Sequence, residues 1–234
     1  MNEISNGFVL AGQLIFEFDP ALVEIVLRSL QVSVIAVALA SFIGLPLGAA
    51  LATLRFPGRG LVIVGLNALM GLPPVVVGLV VYLVLSRSGP LGTLGLLFTP
   101  TAMIVAQTLL VLPIVASLSL QTSSDLFQEY REYLTSLGLG PLRSVPALLW
   151  DGHLTLTTVV LAGFGRAIAE VGAVMIVGGN IDHATRVMTT TIALETSKGN
   201  LALALALGLI LIAISVSVTA AASIIKTATA KVAG

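Results

Sequence analysis

Four long stretches of this chain carry no charge, and that restricts what it can fold into. Residues 29–54, 60–86, 88–124 and 199–225 contain no Asp, Glu, Lys or Arg. Each is at least as long as the roughly 20 residues that a helix needs to cross a bilayer core. All are far longer than the roughly 10-residue alternating segments of a barrel strand. Only 9% of residues are charged and 57% are hydrophobic, whereas a water-facing domain carries about a quarter charged residues. The chain therefore reads as an all-α integral membrane protein. Its formal net charge is zero, so it has neither a basic face for nucleic acid nor an acidic tail. Cysteine is absent, which excludes disulfides, thiolate catalysis and Cys-based metal or iron–sulfur sites.

Residues 1–20 form an acidic lead-in, with Glu3, Glu17 and Asp19 and no Lys or Arg. It lacks the basic start of a cleaved signal peptide, so the first span is expected to direct insertion itself. Phe8 to Phe16 is too short to span. Asp19-Pro20 reads as a helix start, with Asp as cap and Pro in the first turn. About five transmembrane helices follow. They cover Arg28–Leu54, Leu61–Ser86 with a break at Gly71-Leu-Pro73-Pro74, a segment within Leu94–Gln121, Leu154–Gly179 and Leu201–Ile225. Pro73 and Pro74 remove two backbone donors; they read either as a simple kink or as a bend lining a pathway. Between the last two spans, Val187 to Thr196 reads as a short interfacial helix. The positive-inside rule places the Arg55/Arg59 turn, the Arg131/Arg143 region and Lys226/Lys231 in the cytoplasm. That puts the N-terminus outside and the C-terminus inside. Residues 21–226 read as a single domain and 227–234 as a cytoplasmic tail.

Enzyme signatures are missing. No Gly-Lys pair supports a P-loop, and His153 and His183 are the only histidines, too far apart for a zinc-protease helix. Every Asp lies outside the apolar spans. Arg166 and Glu170 are different, because they fall inside a span. Charge there is costly unless it pairs, faces the bundle interior or lines a polar route. Four residues apart on a helix, the two can pair. Two readings stand: a neutralised pair tying helices together, or part of a substrate pathway in which Arg suits an anion. Gly172 and its neighbouring glycines allow close helix approach or a moving gate.

Residues 123–152 are the longest polar interruption. Asp125-x-x-Gln128 reads as a capping box opening a helix. Gly138 is placed to end that helix in a left-handed turn. Gly140-Pro141 turns the chain into a second short helix from Leu142, which brings in Arg143. The first helix shows Glu129, Glu132 and Ser136 on one face, with Leu126, Tyr133 and Leu137 on an apolar side.

At these residues the sequence resembles the permease subunits of ATP-binding-cassette (ABC) importers. Glu132, followed six residues later by Gly138, is similar to that family's cytoplasmic Glu-Ala-Ala-x-x-x-Gly coupling signature. It departs from it at Tyr133 and Leu134, and at Trp150-Asp151 in place of a later Leu-Pro. Gly165-Arg-Ala-Ile-Ala-Glu-Val-Gly-Ala-Val-Met-Ile-Val-Gly-Gly-Asn180 resembles the permeases for tetrahedral oxyanions. With Thr189-Thr-Thr-Ile-Ala-Leu-Glu-Thr-Ser-Lys-Gly199, Leu72-Pro-Pro-Val-Val-Val-Gly78 and Ser86-Arg-Ser-Gly-Pro90, it is most similar to the tungstate type, with molybdate and sulfate relatives. The resemblance implies a type I importer bundle in the cell membrane, built from two copies of the chain. It implies cytoplasmic ABC ATPase subunits that use the ATP, and an extracytoplasmic substrate-binding protein. This chain then has no catalytic residue, cofactor or metal. Glu132, Ser136, Gly138, Gly140, Pro141 and Arg143 would couple to the ATPase, and Arg166, Glu170, Gly172, Pro73 and Pro74 would form the pathway or gate. An intramembrane enzyme and a stand-alone channel are the alternatives from other classes; neither needs an ATPase.

Overall fold

A computed structural model of the chain describes residues 2–232, with side chains described for 7–227. The described residues are mostly helical, with no strand among them. In order the helices are α1 (Asn2–Phe16), α2 (Pro20–Thr53), α3 (Arg59–Met70), α4 (Pro74–Leu85), α5 (Pro100–Glu129), α6 (Arg131–Ser136), α7 (Pro141–Asp151), α8 (His153–Ile168), α9 (Gly172–Gly178), α10 (Met188–Lys198) and α11 (Leu201–Val232). A short 3-10 turn, Gly92–Leu94, precedes α5. Three of these, Pro20–Thr53, Pro100–Glu129 and Leu201–Thr227, are individually long and apolar enough to cross a membrane. The bent pairs α3–α4 and α7–α8 raise the number to five if each pair is one span.

Local chemistry explains the boundaries. Asp19 Oδ1 accepts from the backbone N–H groups of Ala21 and Leu22, both at 3.0 Å, which caps α2 behind Pro20. Pro46 and Pro113 lie inside α2 and α5 without ending them. At Gly71–Pro73 the chain does end a helix. Pro73 takes extended geometry, Pro74 opens α4, and the pair is bent by 101°. The fourth span departs from expectation. Residues 169–171 interrupt it without a proline, and α8 is instead preceded by α7 across a 78° bend at Gly152. Asp125 and Gln128 do not open a helix either, since α5 runs through them to Glu129. The side chains of Glu3 and Lys231 lie outside the described residues.

The fold divides into two units, each assembled from separate stretches of chain. The first comprises Met1–Ala36, Pro73–Gln107 and Arg166–Ser217. Within it α4 lies backbone to backbone on α9: a Cβ at Gly78 would fall 2.7 Å from the Cα of Ala173. The Phe98 N–H donates to the Val177 carbonyl at 2.9 Å, and the Phe98 ring meets Tyr82 edge-on at 6.3 Å. The expected short helix after the fourth span is α10. Its Met188, Thr189, Thr190, Thr191 and Glu195 are buried, while Ala193 and Thr196 to Lys198 are exposed. Its first N–H, on Met188, donates to Ser29 Oγ at 2.7 Å.

The second unit comprises Val37–Leu72, Thr108–Gly165 and Val218–Gly234. Leu51, Leu66, Ala116 and Leu120 form a buried cluster that Ala52 and Ile63 extend. Ser119 Oγ donates to the Leu45 carbonyl at 2.8 Å. Arg59 Nε donates to the Leu51 carbonyl at 2.7 Å, which folds the α2–α3 turn back. Gly48 makes the tightest approach of α2 to α5. A Cβ there would lie 2.4 Å from the Ala116 carbonyl oxygen and 2.6 Å from the Leu120 nitrogen. Gly65 on α3 faces open space.

These two glycines should respond with opposite sign. Gly48→Ala is expected to destabilise by about 2 kcal/mol or more, because backbone must move. Gly65→Ala should stabilise by about 0.5–1 kcal/mol through helix propensity. Melting temperatures of the detergent-solubilised variants test this, and equal behaviour would contradict the α2–α5 contact.

Candidate functional site

The residues singled out in the sequence fall into two groups, one in each unit. In the first unit the break between α8 and α9 gathers Arg166, Glu170, Gly172, Pro73 and Pro74. Arg166 Nη1 donates to Glu170 Oε2 at 2.5 Å. The two ends of the pair differ in exposure: Arg166 keeps 36% of its side-chain surface and Glu170 only 4%. Glu170 Oε1 accepts from the Ala173 N–H at 3.2 Å, so the same carboxylate caps α9. A Cβ at Gly172 would lie 2.8 Å from Val75 Cγ2 and 3.7 Å from Glu170 Oε1. The start of α4, at Pro73–Val75, therefore abuts the start of α9. Pro73 is exposed, and Pro74 and Gly172 are half-buried.

Two residues at this break were given no site role by the sequence reading. Thr189 Oγ1 donates to the Glu170 carbonyl at 2.7 Å. Gln107 Nε2 donates to the Ala167 carbonyl at 3.0 Å. The signal available for Gln107 was an amide in the middle of the charge-free stretch 88–124. For Thr189 it was the run of three threonines at 189–191. Chemically, the site is a neutral ion pair with one side buried. Its arginine is partly exposed, and a guanidinium carries further N–H donors besides the one on Glu170.

In the second unit α6 and α7 form an elbow around Gly138. Gly138 has φ +68°, and the Leu139 N–H reaches back to the Leu134 carbonyl at 3.0 Å. This is the left-handed helix end that the sequence indicated. Gly140 then precedes Pro141 at the first position of α7. Glu132, Ser136, Gly138, Pro141 and Arg143 are exposed and Gly140 is half-buried. The Ser136 hydroxyl donates to its own helix, at the Tyr133 carbonyl. Of the side expected to be apolar, Leu126 is half-buried, but Tyr133 and Leu137 are exposed. Leu134, Ser144 and Leu148 are the buried residues of these two helices. The elbow therefore presents Tyr133, Leu137 and Leu142 outward beside Glu132 and Arg143. The Asp151 carboxylate, by hydrogen bond and by charge, pushes up the pKa of the Tyr130 phenol where α5 ends.

The histidines occupy separate places. His153 Nδ1 lies on the Trp150 carbonyl. In the first unit, His183 Nδ1 meets Glu24 Oε2 at 2.8 Å, and Arg28 donates to the His183 carbonyl at 3.2 Å. Arg186 pairs with Asp182 at 2.8 Å. His183 stands in a left-handed conformation, φ +54°. Its hydrogen bond with Glu24, then the charges of Glu24 and Asp182, raise its pKa above 6.5 against smaller opposing effects of burial and Arg186. Among the described residues no group of three or more His, Cys, Asp or Glu could hold a metal ion.

No family model matches the chain. Individual proteins do. It is 45% identical over 185 residues to a probable anion ABC transporter permease protein of Haloferax volcanii, spanning 77% of this chain and 80% of that one. It is 43% identical over 200 residues to a tungstate uptake system permease protein of Peptoclostridium acidaminophilum, spanning 86% and 88%. A tungstate uptake system permease protein of Campylobacter jejuni is 38% identical over 202 residues, spanning 86% and 84%.

Two outcomes follow from the ion pairs. Arg166→Met strands a buried carboxylate and should destabilise by about 2 kcal/mol. Arg166→Met combined with Glu170→Gln should lose less, because Gln keeps an acceptor for Ala173. Thermal unfolding of the purified variants decides, and equal losses would show that the two residues do not pair. The raised His183 pKa means that its bond to Glu24 contributes fully below pH 6.5 and is lost as pH rises through the raised value. His183→Gln should therefore flatten the melting temperature between about pH 5.5 and 8.5 relative to the parent; parallel curves would refute this.

Proposed function

The chain belongs to the family of permease subunits of ABC importers for oxyanions, and from that premise we propose that its anion is tungstate. It is a multi-pass membrane transporter subunit. The observation that carries the tungstate reading is identity of 43% and 38%, over 86% of this chain, with two tungstate uptake permeases.

In this reading two copies enclose the pathway, a substrate-binding protein delivers the anion outside, and separate cytoplasmic ATPase subunits hydrolyse ATP. Residues 21–226 act as one transport domain, with the N-terminus outside and the C-terminus in the cytoplasm. The chain itself binds no cofactor. The α6–Gly138–α7 elbow is the ATPase contact. Its support is geometric: a left-handed helix end at Gly138, with charged Glu132 and Arg143 and apolar Tyr133, Leu137 and Leu142 all exposed around it. Exposed apolar side chains of this kind mark protein contacts. Ser136, Gly140 and Pro141 shape that elbow. Arg166, Glu170, Gly172, Pro73 and Pro74 form the gate. What supports this is that the start of α4 abuts the start of α9, beside an ion pair whose arginine is partly exposed.

ATPase activity of the reconstituted complex, measured with binding protein loaded with tungstate, molybdate or sulfate, tests the substrate. Stimulation is expected to be strongest with tungstate; equal or stronger stimulation by another oxyanion would overturn it. Glu132→Lys and Gly138→Val, the latter placing a β-branched residue at positive φ, should cut transport per ATP about tenfold while the bundle stays folded. Wild-type coupling in both variants would remove the elbow from the mechanism.

A further inference from the structure

The break between α8 and α9 lies in a chain built for lipid, where a backbone carbonyl released from a helix needs a partner inside the protein. The Ala167 carbonyl is one such group. It accepts from the Glu170 N–H at 3.1 Å, so the local turn already satisfies it. Gln107 Nε2 adds a second bond at 3.0 Å from α5. Gln107 is itself only 4% exposed, and its other end, Oε1, is buried with no hydrogen-bond partner among the described residues. The arrangement is costly: a carbonyl that already has a donor gains another, while an amide oxygen is left unpaired in the interior. A methionine would fill the same volume without that cost. The amide therefore does something other than stabilise the fold, and what it touches is the residue next to Arg166.

We propose that Gln107 is a positioning residue for the gate: it grips the last turn of α8 at Ala167 and so fixes the direction in which the half-open Arg166 guanidinium points. Thr189 holds the far side of the same break through the Glu170 carbonyl. The two bonds clamp the short irregular segment from opposite ends of the Arg166–Glu170 pair. With Gln107 gone, Arg166 keeps its ion pair but loses its fixed bearing. This inference rests on the reading that Arg166 faces the transported anion.

The test uses Gln107→Met, Arg166→Ala and the double variant in the complete complex with its ATPase and binding protein. A merely structural role makes Gln107→Met melt lower. A positioning role leaves its melting temperature unchanged or raised, because the unpaired oxygen has been removed, while anion transport per ATP falls about tenfold. In the Arg166→Ala background Gln107→Met should cost nothing further, since there is no guanidinium left to aim. Normal transport by Gln107→Met, a loss that adds in full to that of Arg166→Ala, or a fall in melting temperature matching the fall in transport would each overturn the proposal. Normal transport by Arg166→Ala would remove the gate reading and this proposal together. Impairment of Arg166→Ala with normal Gln107→Met would remove this proposal alone.

Discussion

In a bilayer, backbone polar groups have no water to turn to, and wherever a helix stops they must be answered by the protein itself. The first unit is arranged around one such stop. Between Ile168 and Gly172 the chain leaves helical geometry. The exposed ends are met by the Glu170 carboxylate at Ala173, the Glu170 N–H at Ala167 and the Thr189 hydroxyl at Glu170, with the Gln107 amide a second donor to Ala167. Arg166 then neutralises the carboxylate that does the capping. The charged pair is thus a consequence of the break as much as a feature placed beside it. A carboxylate is a strong acceptor for a helix start, and in an apolar setting it needs a counter-charge.

The second unit shows the same constraint met differently. Its interior helices approach closely through small residues, Gly48 on Ala116 and Gly163 against Val111 and Val115. Van der Waals contact carries that packing, with the Ser119 hydroxyl on the Leu45 carbonyl beside it. The polar chemistry is concentrated at the α6–α7 elbow. Its backbone is closed by the left-handed turn at Gly138, and its side chains are left outward.

Much of this was legible in the sequence. Charge-free stretches gave the long helices, because charge is the one property lipid excludes. Pro73-Pro74 gave the α3–α4 break, and Gly138 the end of α6, because proline and glycine carry backbone geometry in their covalent structure. The break at 169–171 was hidden. Its cause is a side-chain cap by Glu170, and a glutamate four residues from an arginine in a span reads first as an ion pair. Asp125-x-x-Gln128 misled for the converse reason: a capping pattern means something only where a helix ends, and α5 continues past it with Asp125 exposed. Gln107 and Thr189 act through bonds spanning 60 and 19 positions of chain; no local pattern encodes such partners. Tyr133 and Leu137 point outward because α6 is only six residues long. A helix that short can bury little beyond Leu134.

The close seating of Gly78 on Ala173 has a mechanical consequence. With backbone against backbone, and no side chain between them to change rotamer, α4 and α9 share what is in effect one degree of freedom. The seven-residue α9 is thus braced along its length by α4, and any side chain added at Gly78 would have to push the two backbones apart.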